Sequence, residues 1–367
     1  MNIGIDISQA VYQETGVGKY TIGLVNGILD HDKKNSWTFL YFSLRIDLPQ
    51  ELLKKIRASK HKLIHIPFPP TFLSFIWNIL HILPVETFTG KLDLFITSDW
   101  TEPPASCKKM TIIHDLVYLR YPETVHKTIL ETQKQRMKWV QKESSHIIAT
   151  SHATKTDIVS LLAIPENKIS TIYAGIDIIS VTQEIKDEVL RKYKIKEPFI
   201  LAVGKIEPRK NIARLIDAFS MIEEQGWSLV IVGPQGWDEK SKENKNKSVQ
   251  FTGRVSEIEL HAFYELCSFF VFPSIWEGFG HPIIEAMKHK KAVITSNTPS
   301  LLEVGNGNAQ LCDPFSTESI KNAMLLLMIN EPVRMVIAHD GYEYSQKFTW
   351  EQYIEKLLPI ILQQKEK

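Results

Sequence analysis

One glycine-rich segment has the residue types and spacing that most clearly suggest chemistry. It covers residues 273–287, PSIWEGFGHPIIEAM, and it follows an apolar strand candidate. Pro282 is typical of the first turn of a helix, so the helix is predicted to begin near His281. The free N–H groups and the positive dipole at such a helix end bind anions. A phosphate group is therefore the expected occupant.

Two glutamates flank the glycine turn, with seven residues between them. Glu285 is expected in the first helical turn and Glu277 in the loop before it, so both carboxylates could border one pocket. A carboxylate accepts two hydrogen bonds and suits the recognition of vicinal hydroxyls. The alternative is an ordinary glycine turn in which Glu285 serves only as a partner of the helix dipole.

Two cations stand in a loop after another strand candidate. The loop is residues 204–211, GKIEPRKN, in which Arg209 and Lys210 precede a helix predicted over residues 212–222. Arginine offers a planar fork for phosphate oxygens, and lysine offers a point charge. Cations beside a helix N-terminus are mildly unfavourable, so a bound anion explains their position better than solvation alone.

The first half of the chain holds a second glycine loop, at Gly16 and Gly18. It is predicted to open a helix that runs to about Leu29. The loop is not a P-loop, because Gln13 stands where a glycine is needed and Tyr20 stands where Ser or Thr is needed. A flexible loop at a helix N-terminus can still approach a phosphate.

These candidates need a scaffold that brings the ends of several strands together. Short apolar runs alternate with helical patterns, which predicts βαβ units and parallel sheets, where ligands bind beyond the carboxyl ends of strands. His114, beside Asp115, occupies such an end, although a purely structural histidine is the alternative. The predicted strands are residues 3–7, 38–42, 63–66, 92–96, 111–113, 147–149, 199–203, 229–232, 249–251, 269–272 and 292–294.

Length and charge bound the function. A chain of 367 residues suggests two domains, and the charged stretch before Pro198 predicts the boundary between them. The formal charge of +1 provides no global field for nucleic acid, which is excluded as a main partner. Three scattered cysteines give neither a metal spacing nor a disulfide framework, which favours a reducing cytoplasm. They are Cys107, Cys267 and Cys312.

The membrane signals in the sequence are weak. The N-terminus predicts a first strand rather than a signal peptide. The apolar residues 72–83 are fewer than the ~20 that a spanning helix needs. With the basic stretch at residues 54–62 they could form a helix that lies on an anionic membrane surface. A solvated helix followed by a core-packing helix is the alternative.

In this combination and order, the segments resemble the retaining glycosyltransferases of family 4, a group that includes glycogen-synthase-like enzymes and mannosyltransferases. The resemblance implies the GT-B fold, in which two Rossmann-like α/β domains face a cleft. Residues 1–178 would bind the acceptor, residues 179–348 the nucleotide sugar, and a final helix at 349–367 would return to the first domain. The matching segments are residues 16–18, 113–115, 149–151, 172–177, 204–211, 277–285 and 348–351.

The same resemblance assigns the phosphate and ribose contacts. Arg209 and Lys210 would hold the diphosphate of the donor, and Gly16 and Gly18 would lie against it. Glu285 would bind the ribose hydroxyls. The two cations would take the place of a metal ion in neutralising the leaving group.

The donor sugar itself would be held by a second set of residues. Glu277 would bind it, together with the backbone of Gly278, Phe279 and Gly280. His114 would contact the same sugar. The catalytic set implied by the resemblance is therefore His114, Glu277 and the two cations of the basic loop.

The implied reaction keeps the anomeric configuration and needs no metal or cofactor. The phrase IEPRKN, residues 206–211, resembles that of bacterial O-antigen mannosyltransferases, which favours GDP-mannose and leaves a UDP-sugar open. The expected acceptor is a glycan or a lipid-linked glycan of a surface polysaccharide, reached from the cytoplasm with peripheral contact to the inner membrane. A nucleotide-sugar 2-epimerase of the same fold and a non-catalytic binding subunit are the alternatives. Residues 288–290, KHK, replace a usual Ala-Cys-Gly stretch, so the preceding helix must end without glycine.

Overall fold

A computed structural model describes residues 1–97, 99–222, 226–238, 241 and 246–366. Contacts divide the chain into two compact units, Met1–Gly175 with Phe348–Lys367 and Ile176–Lys347. Each unit contains one parallel sheet with helices, which confirms the predicted α/β class with two Rossmann-like domains. The domain boundaries at 178/179 and 348/349 stay predictions.

The first unit is built on a seven-stranded sheet in the order β3-β2-β1-β4-β5-β6-β7. Its strands are β1 (Asn2–Asp6), β2 (Ser36–Phe42), β3 (Lys62–Ile66), β4 (Leu94–Thr97), β5 (Lys108–Ile113), β6 (Ser144–Ala149) and β7 (Ile169–Thr171). The order reverses between β1 and β4, which opens a crevice at their carboxyl ends. The sequence analysis missed β7, because three residues are too few for a recognisable pattern.

The helices of the first unit include the last helix of the chain. They are α1 (Gly16–His31), α2 (Gln50–Ala58), α3 (Pro70–Ser74), a π-helix (Phe75–Leu80), α4 (Glu86–Thr89), α5 (Val117–Arg120), α6 (Lys127–Glu143), α7 (His152–Leu162) and α15 (Trp350–Glu366). The Trp350 ring lies against Gly23 of α1, where an added Cβ would come within 2.2 Å of the indole. The absence of a side chain at Gly23 is thus what lets α15 pack against α1.

The second unit has a six-stranded sheet in the order β10-β9-β8-β11-β12-β13. Its strands are β8 (Phe199–Val203), β9 (Ser228–Val232), β10 (Val249–Gly253), β11 (Phe269–Phe272), β12 (Val293–Ser296) and β13 (Gln310–Cys312). Its helices are α8 (Gln183–Tyr193), α9 (Ile212–Ser220), α10 (Glu257–Leu266), α11 (His281–Lys288), α12 (Pro299–Gly305), α13 (Thr317–Ile329) and α14 (Glu331–Ser345). The strand order reverses between β8 and β11, so this sheet also opens a crevice there.

Helix α8 differs from the sequence prediction, whereas the end of helix α11 agrees with it. The charged stretch before Pro198 forms helix α8, so the region between the two sheets is more than a linker. Helix α11 ends at Lys288 without glycine, and Lys290 takes the left-handed conformation with φ 57° that glycine usually adopts after a helix. The predicted start of α11 at His281 is confirmed.

Candidate functional site

The loops after β8 and β11 bring the predicted cations and Glu277 together. The two strands are hydrogen-bonded neighbours, so their carboxyl ends lie side by side. Arg209 and Lys210 occupy a 3-10 turn that precedes α9. The Ile275 N–H donates a hydrogen bond of 2.8 Å to the Arg209 carbonyl and ties the two loops directly.

Glu277 is held by both cations at once. Its Oε2 lies 2.6 Å from the Arg209 Nη1, and its Oε1 lies 2.7 Å from the Lys210 Nζ. The Arg209 Nε also lies 2.7 Å from an oxygen of Glu207. The formal charges of these two cations and two carboxylates cancel. Ion pairs this close fix each side chain in one orientation.

Burial and charge act in opposite directions on this cluster. Burial raises the pKa of the Glu277 carboxyl, but the charges of Arg209 and Lys210 outweigh burial, and the pKa falls to about 2. Glu277 is therefore ionised throughout the physiological range. Burial lowers the pKa of the Lys210 ammonium, and the opposing effect of Glu277 is smaller.

Asn211 fixes the backbone of the basic loop. Its φ is 62°, the left-handed region that asparagine tolerates better than most residues. Its side-chain NH2 donates hydrogen bonds of 3.0 Å to the Pro273 carbonyl and 2.7 Å to the Pro314 carbonyl. Asn211 thus fastens the loop after β8 to the loops after β11 and β13. The sequence analysis included Asn211 in the motif but gave it no role.

Helix α11 begins as predicted for an anion site, but Glu285 lies deeper than predicted. Gly280 precedes the helix with φ 95°, and a Cβ there would come within 2.9 Å of Leu301. The prediction that Glu285 falls in the first turn is wrong. The helix begins at His281 and a turn takes 3.6 residues, so Glu285, the fifth residue, lies in the second turn.

A buried tyrosine positions Glu285. The Tyr264 hydroxyl donates a hydrogen bond of 2.8 Å to the Glu285 Oε2, and Tyr264 is fully buried. Burial, together with the Glu285 charge, raises the pKa of Tyr264 well above its usual 10. Tyr264 therefore stays protonated and donates. No sequence motif marks Tyr264, because it lies on α10, away from the segment that carries both glutamates.

His289 completes the surroundings of Tyr264. The two rings stack with centroids 5.6 Å apart, and the His289 Nε2 lies 2.7 Å from the Nδ1 of His261. Burial and the neighbouring His261 lower the pKa of His289 to about 4. His289, which makes both contacts, is the middle residue of the KHK stretch. This stretch is where the sequence departs from the usual Ala-Cys-Gly of the family.

The early glycine loop and His114 belong to the first unit. Gly16 is the first residue of α1, and the Thr15 hydroxyl oxygen caps that helix by accepting from the Gly18 N–H at 3.0 Å. A Cβ at Gly18 would lie 2.0 Å from the Tyr12 carbonyl oxygen, so packing alone requires glycine there. Gly16 is exposed to solvent.

His114 directly follows β5 and is neutral. Its ring meets the edge of the Tyr20 ring, with centroids 4.6 Å apart. Burial, with a smaller contribution from Arg136, lowers the pKa of His114 to about 3. A neutral imidazole can both donate and accept a hydrogen bond. Tyr20 also exchanges a hydrogen bond between hydroxyls with Tyr353 of α15.

In the described part of the chain, no group of three or more His, Cys, Asp or Glu side chains is arranged to hold a metal ion. Within residues 1–97, 99–222, 226–238, 241 and 246–366, no helix combines the length and the apolar character that crossing a membrane requires.

Comparison with known proteins gives two adjoining family matches. Residues 18–179 match the model described as Glycosyltransferase Family 4, and residues 183–344 match the model described as Glycosyl transferases group 1. Together the two models span most of the motifs of both units, while Gly16 and residues 348–351 lie outside the matched ranges. The first unit carries Gly18 and His114, and the second carries the basic loop and both glutamates.

Two curated relatives come from Escherichia coli. O-antigen chain mannosyltransferase B is 24% identical over 359 residues, which covers 93% of this chain and 94% of that protein. The serotype-specific mannosyltransferase WbdA is 30% identical over 219 residues, which covers 56% of this chain. That match spans only 27% of WbdA, so the chain corresponds to a minor part of this relative.

Two solved structures share the fold. WaaG, a glycosyltransferase involved in lipopolysaccharide biosynthesis, aligns with a TM-score of 0.73 at 14% identity and covers 98% of this chain and 99% of its own. HepE from Anabaena, in complex with UDP and glucose, aligns with a TM-score of 0.71 at 16% identity and the same coverage. Alignment along whole chains at such low identity shows a common architecture.

Proposed function

Because the chain is a glycosyltransferase of family 4 with the GT-B fold, we propose that it transfers a hexose, mannose in preference, from a nucleotide sugar to a glycan or lipid-linked acceptor of a surface polysaccharide. One observation carries this proposal. Arg209 and Lys210 are held side by side on Glu277, which stands four residues before the start of α11. Two fixed cations beside a helix N-terminus suit a diphosphate better than any neutral ligand.

The proposed chemistry breaks the bond between the anomeric carbon and the diphosphate. Negative charge grows on the leaving diphosphate as that bond lengthens. Arg209, Lys210 and the N–H groups at the start of α11 would stabilise this charge without a metal ion. The new bond forms on the face of the sugar that keeps the anomeric configuration. The acceptor oxygen forms the new bond to the anomeric carbon, and the hydroxyl proton passes to an oxygen of the leaving diphosphate.

The rest of the donor would be held by groups whose geometry is already fixed. Glu285, oriented by Tyr264, would accept hydrogen bonds from the two ribose hydroxyls. Glu277 and the backbone of residues 278–280 would bind the sugar, and the neutral His114 would contact it. Gly16 and Gly18 would lie against the diphosphate.

The donor and the location are inferred from relatives and composition. The match to O-antigen chain mannosyltransferase B along 94% of that protein supports mannose as the sugar, and the IEPRKN phrase favours GDP-mannose as its donor. Because HepE was solved with UDP and glucose, UDP-sugars are tested as well. We infer a cytoplasmic enzyme with peripheral contact to the inner membrane face, where a lipid-linked acceptor would be presented. The donor supplies all the chemistry, so no cofactor is proposed.

Binding and product analysis test this function. Thermal unfolding is measured with a panel of GDP- and UDP-sugars, and a ligand at 100 times its Kd should add about 2.7 kcal/mol of stability. The anomeric configuration of the product is then read by NMR, with and without EDTA. Stabilisation by GDP-mannose and a retained, EDTA-insensitive product are expected. Indifference to every nucleotide sugar would refute the function.

Four other outcomes would each contradict one part of the proposal: the transfer reaction, catalysis itself, retention of configuration or metal independence. An epimer that accumulates from donor alone, with no acceptor present, would identify a nucleotide-sugar 2-epimerase. Tight binding without any turnover across acceptors would identify a non-catalytic subunit. An inverted anomer would refute retention, and loss of transfer in EDTA would refute metal independence.

Tyr264 gives a prediction specific to ribose binding. In Tyr264→Phe, Glu285 loses one hydrogen bond to its carboxylate, and the KM for the donor is expected to rise about tenfold while kcat changes little. The matched control is Tyr193→Phe, which removes a hydroxyl that donates at 3.2 Å to Glu259 on the surface. Steady-state kinetics with varied donor measure both. An unchanged KM in Tyr264→Phe would show that Glu285 needs no such positioning.

A further inference from the structure

A row of large apolar side chains stands exposed on the first unit, in the segment that follows β3. Each is between 42% and 55% exposed. We call this row the apolar ridge. A helical segment that is apolar on every side is normally buried or covered by a partner. The ridge consists of Phe68, Phe72, Phe75, Ile79, Leu80, Ile82 and Leu83.

The fold holds the ridge rigidly in this position. On the inner face of the same segment, Leu73 and Trp77 are fully buried in the core of the first unit. The Trp77 Nε1 donates at 2.9 Å to the Leu83 carbonyl and closes the end of the ridge. Asn78 donates from its side chain at 3.0 Å to the Trp100 carbonyl. The exposure is therefore a property of the packed structure, because the opposite face of the segment is anchored.

Helix α6 packs against the ridge segment and contributes charge beside it. The Trp139 Nε1 donates at 2.8 Å to the Asn78 carbonyl, and the Trp139 ring stacks on His81 at 3.5 Å. The exposed side of α6 carries a stripe of lysines spaced four residues apart, which places them on one helix face. We call these the α6 lysines. They are Lys134, Lys138 and Lys142.

The carboxylates of α6 leave this stripe positive. Glu143 is already paired, because its oxygens lie 2.7 Å from the Lys109 Nζ and 2.8 Å from the His81 Nε2. Glu131 is exposed on the side of the lysines and offsets one of the three charges. The surface beside the ridge is thus basic overall.

The basic run predicted to accompany the apolar segment lies elsewhere. Lys55 pairs with Asp30 of α1 at 3.4 Å, and Lys60 donates at 2.7 Å to the Lys33 carbonyl just after α1. Both contacts are at α1, and Lys60 precedes β3, whereas the ridge follows the carboxyl end of β3. The cations that lie beside the apolar segment come from α6. Because α6 is about 60 residues later in the chain, the sequence alone does not place it there.

We propose that the apolar ridge and the α6 lysines form a docking surface for an anionic phospholipid bilayer. The phenylalanine rings and aliphatic side chains enter the headgroup boundary, and the lysines reach lipid phosphates. This proposal rests on the proposed function, which places a lipid-linked acceptor at the membrane. It adds which surface of the chain contacts that membrane. Charge favours a bilayer over a second copy of this chain, because a symmetric pairing would bring two lysine stripes together.

Vesicle flotation of the full chain tests the docking surface. The vesicles are equimolar phosphatidylcholine and phosphatidylglycerol, with pure phosphatidylcholine for comparison. Replacing Phe72, Phe75 and Ile79 with serine is expected to reduce partitioning by about tenfold or more. The matched control replaces with serine three apolar residues of the second unit that are at least as exposed. These are Ile329, Met335 and Val336.

A second variant separates the charges from the apolar groups. Replacing the α6 lysines with glutamine should remove the preference for phosphatidylglycerol and leave weaker binding to both vesicle types. Flotation of the wild type with neither vesicle, or equal flotation of wild type and ridge variant, would overturn the proposal. So would a concentration-dependent dimer that the ridge variant loses, since the surface would then serve a second copy.

The nucleotide-sugar panel keeps the two proposals apart. The ridge variant should be stabilised by the donor as the wild type is, because its substitutions lie on the exposed face of the first unit and outside every donor-contact residue proposed above. Vesicle binding without any response to nucleotide sugars would refute the proposed function and leave the docking surface standing. The reverse result would refute the docking surface alone.

Discussion

Lys210→Ala is expected to lower kcat for sugar transfer by about 10²- to 10³-fold, the range seen when one group that stabilises transition-state charge is removed. The Lys210 Nζ lies 2.7 Å from Glu277 and directly beside the Arg209 pair, in a largely buried cluster. Its charge is therefore poorly screened by water. Steady-state kinetics with saturating donor and acceptor measure the loss.

The charge balance of the cluster explains why one lysine should matter so much. Arg209 and Lys210 are neutralised by Glu207 and Glu277 before any ligand binds. A diphosphate must therefore compete with two carboxylates for two cations. Without Lys210 the remaining cluster has a net charge of −1. The leaving diphosphate would then be repelled by a cluster that is neutral in the wild type. Affinity for the nucleoside diphosphate product should fall together with kcat.

Lys321→Ala is the control for this prediction. Lys321 lies in the same unit and pairs at 2.7 Å with Glu318 on the surface of α13. Surface pairs contribute little, so transfer by this variant should match the wild type. Melting curves of both variants separate a folding defect from a lost interaction. A Lys210→Ala enzyme that keeps its fold and more than half of its kcat would contradict the diphosphate role.

The sequence predicts where Arg209, Lys210 and Glu277 lie, each in a loop that follows a strand, but it does not predict that the two cations pair with Glu277. Arg209 and Lys210 follow one strand and Glu277 another, and parallel topology places such ends at one edge. The parallel sheets themselves follow from continuous apolar runs, which need cover on both faces. The start of α11 follows from Gly280 and Pro282. The position of each residue after its strand needs only neighbours along the chain, whereas the pairing of β8 with β11 is seen in the structure.

What the sequence could not predict depends on contacts between distant segments. Tyr264 reaches Glu285 from α10, and no spacing rule links a tyrosine there to a glutamate on α11. Glu285 lies in the second turn of α11 and not the first, since it is the fifth residue of a helix that starts at His281. The partner of the apolar segment is α6, about 60 residues later, whereas sequence proximity had suggested the run at residues 54–62.

Trp350→Ala is expected to lower the free energy of unfolding of the first unit by about 3–5 kcal/mol, the usual cost of emptying a buried aromatic site. The indole fills the space over Gly23 and Gly175, where added Cβ atoms would come within 2.2 Å and 2.7 Å of indole carbons. Glycines have no side chains that could move into the vacated volume. The cavity therefore stays open unless α15 shifts toward α1.

Hydrogen exchange by segment measures this effect where it arises. Peptides from α1 and α15 should lose protection in Trp350→Ala, and peptides from α9 in the second unit should not. Leu362→Ala is the matched control on the same helix, because Leu362 is 51% exposed and surface changes usually stay within about 0.5 kcal/mol. Equal protection of α1 in Trp350→Ala and Leu362→Ala would show that the packing over Gly23 stabilises little.

The same substitution should also reach a proposed donor contact. Tyr20 packs edge-on against Trp350, with centroids 5.5 Å apart, and against His114 on its other side at 4.6 Å. Loosening α15 removes one support of Tyr20 and, through it, of the His114 ring. Transfer by Trp350→Ala should therefore fall even at temperatures where the first unit remains folded. Full activity in a folded but destabilised Trp350→Ala enzyme would show that His114 is held independently of the C-terminal helix, and that α15 contributes stability alone.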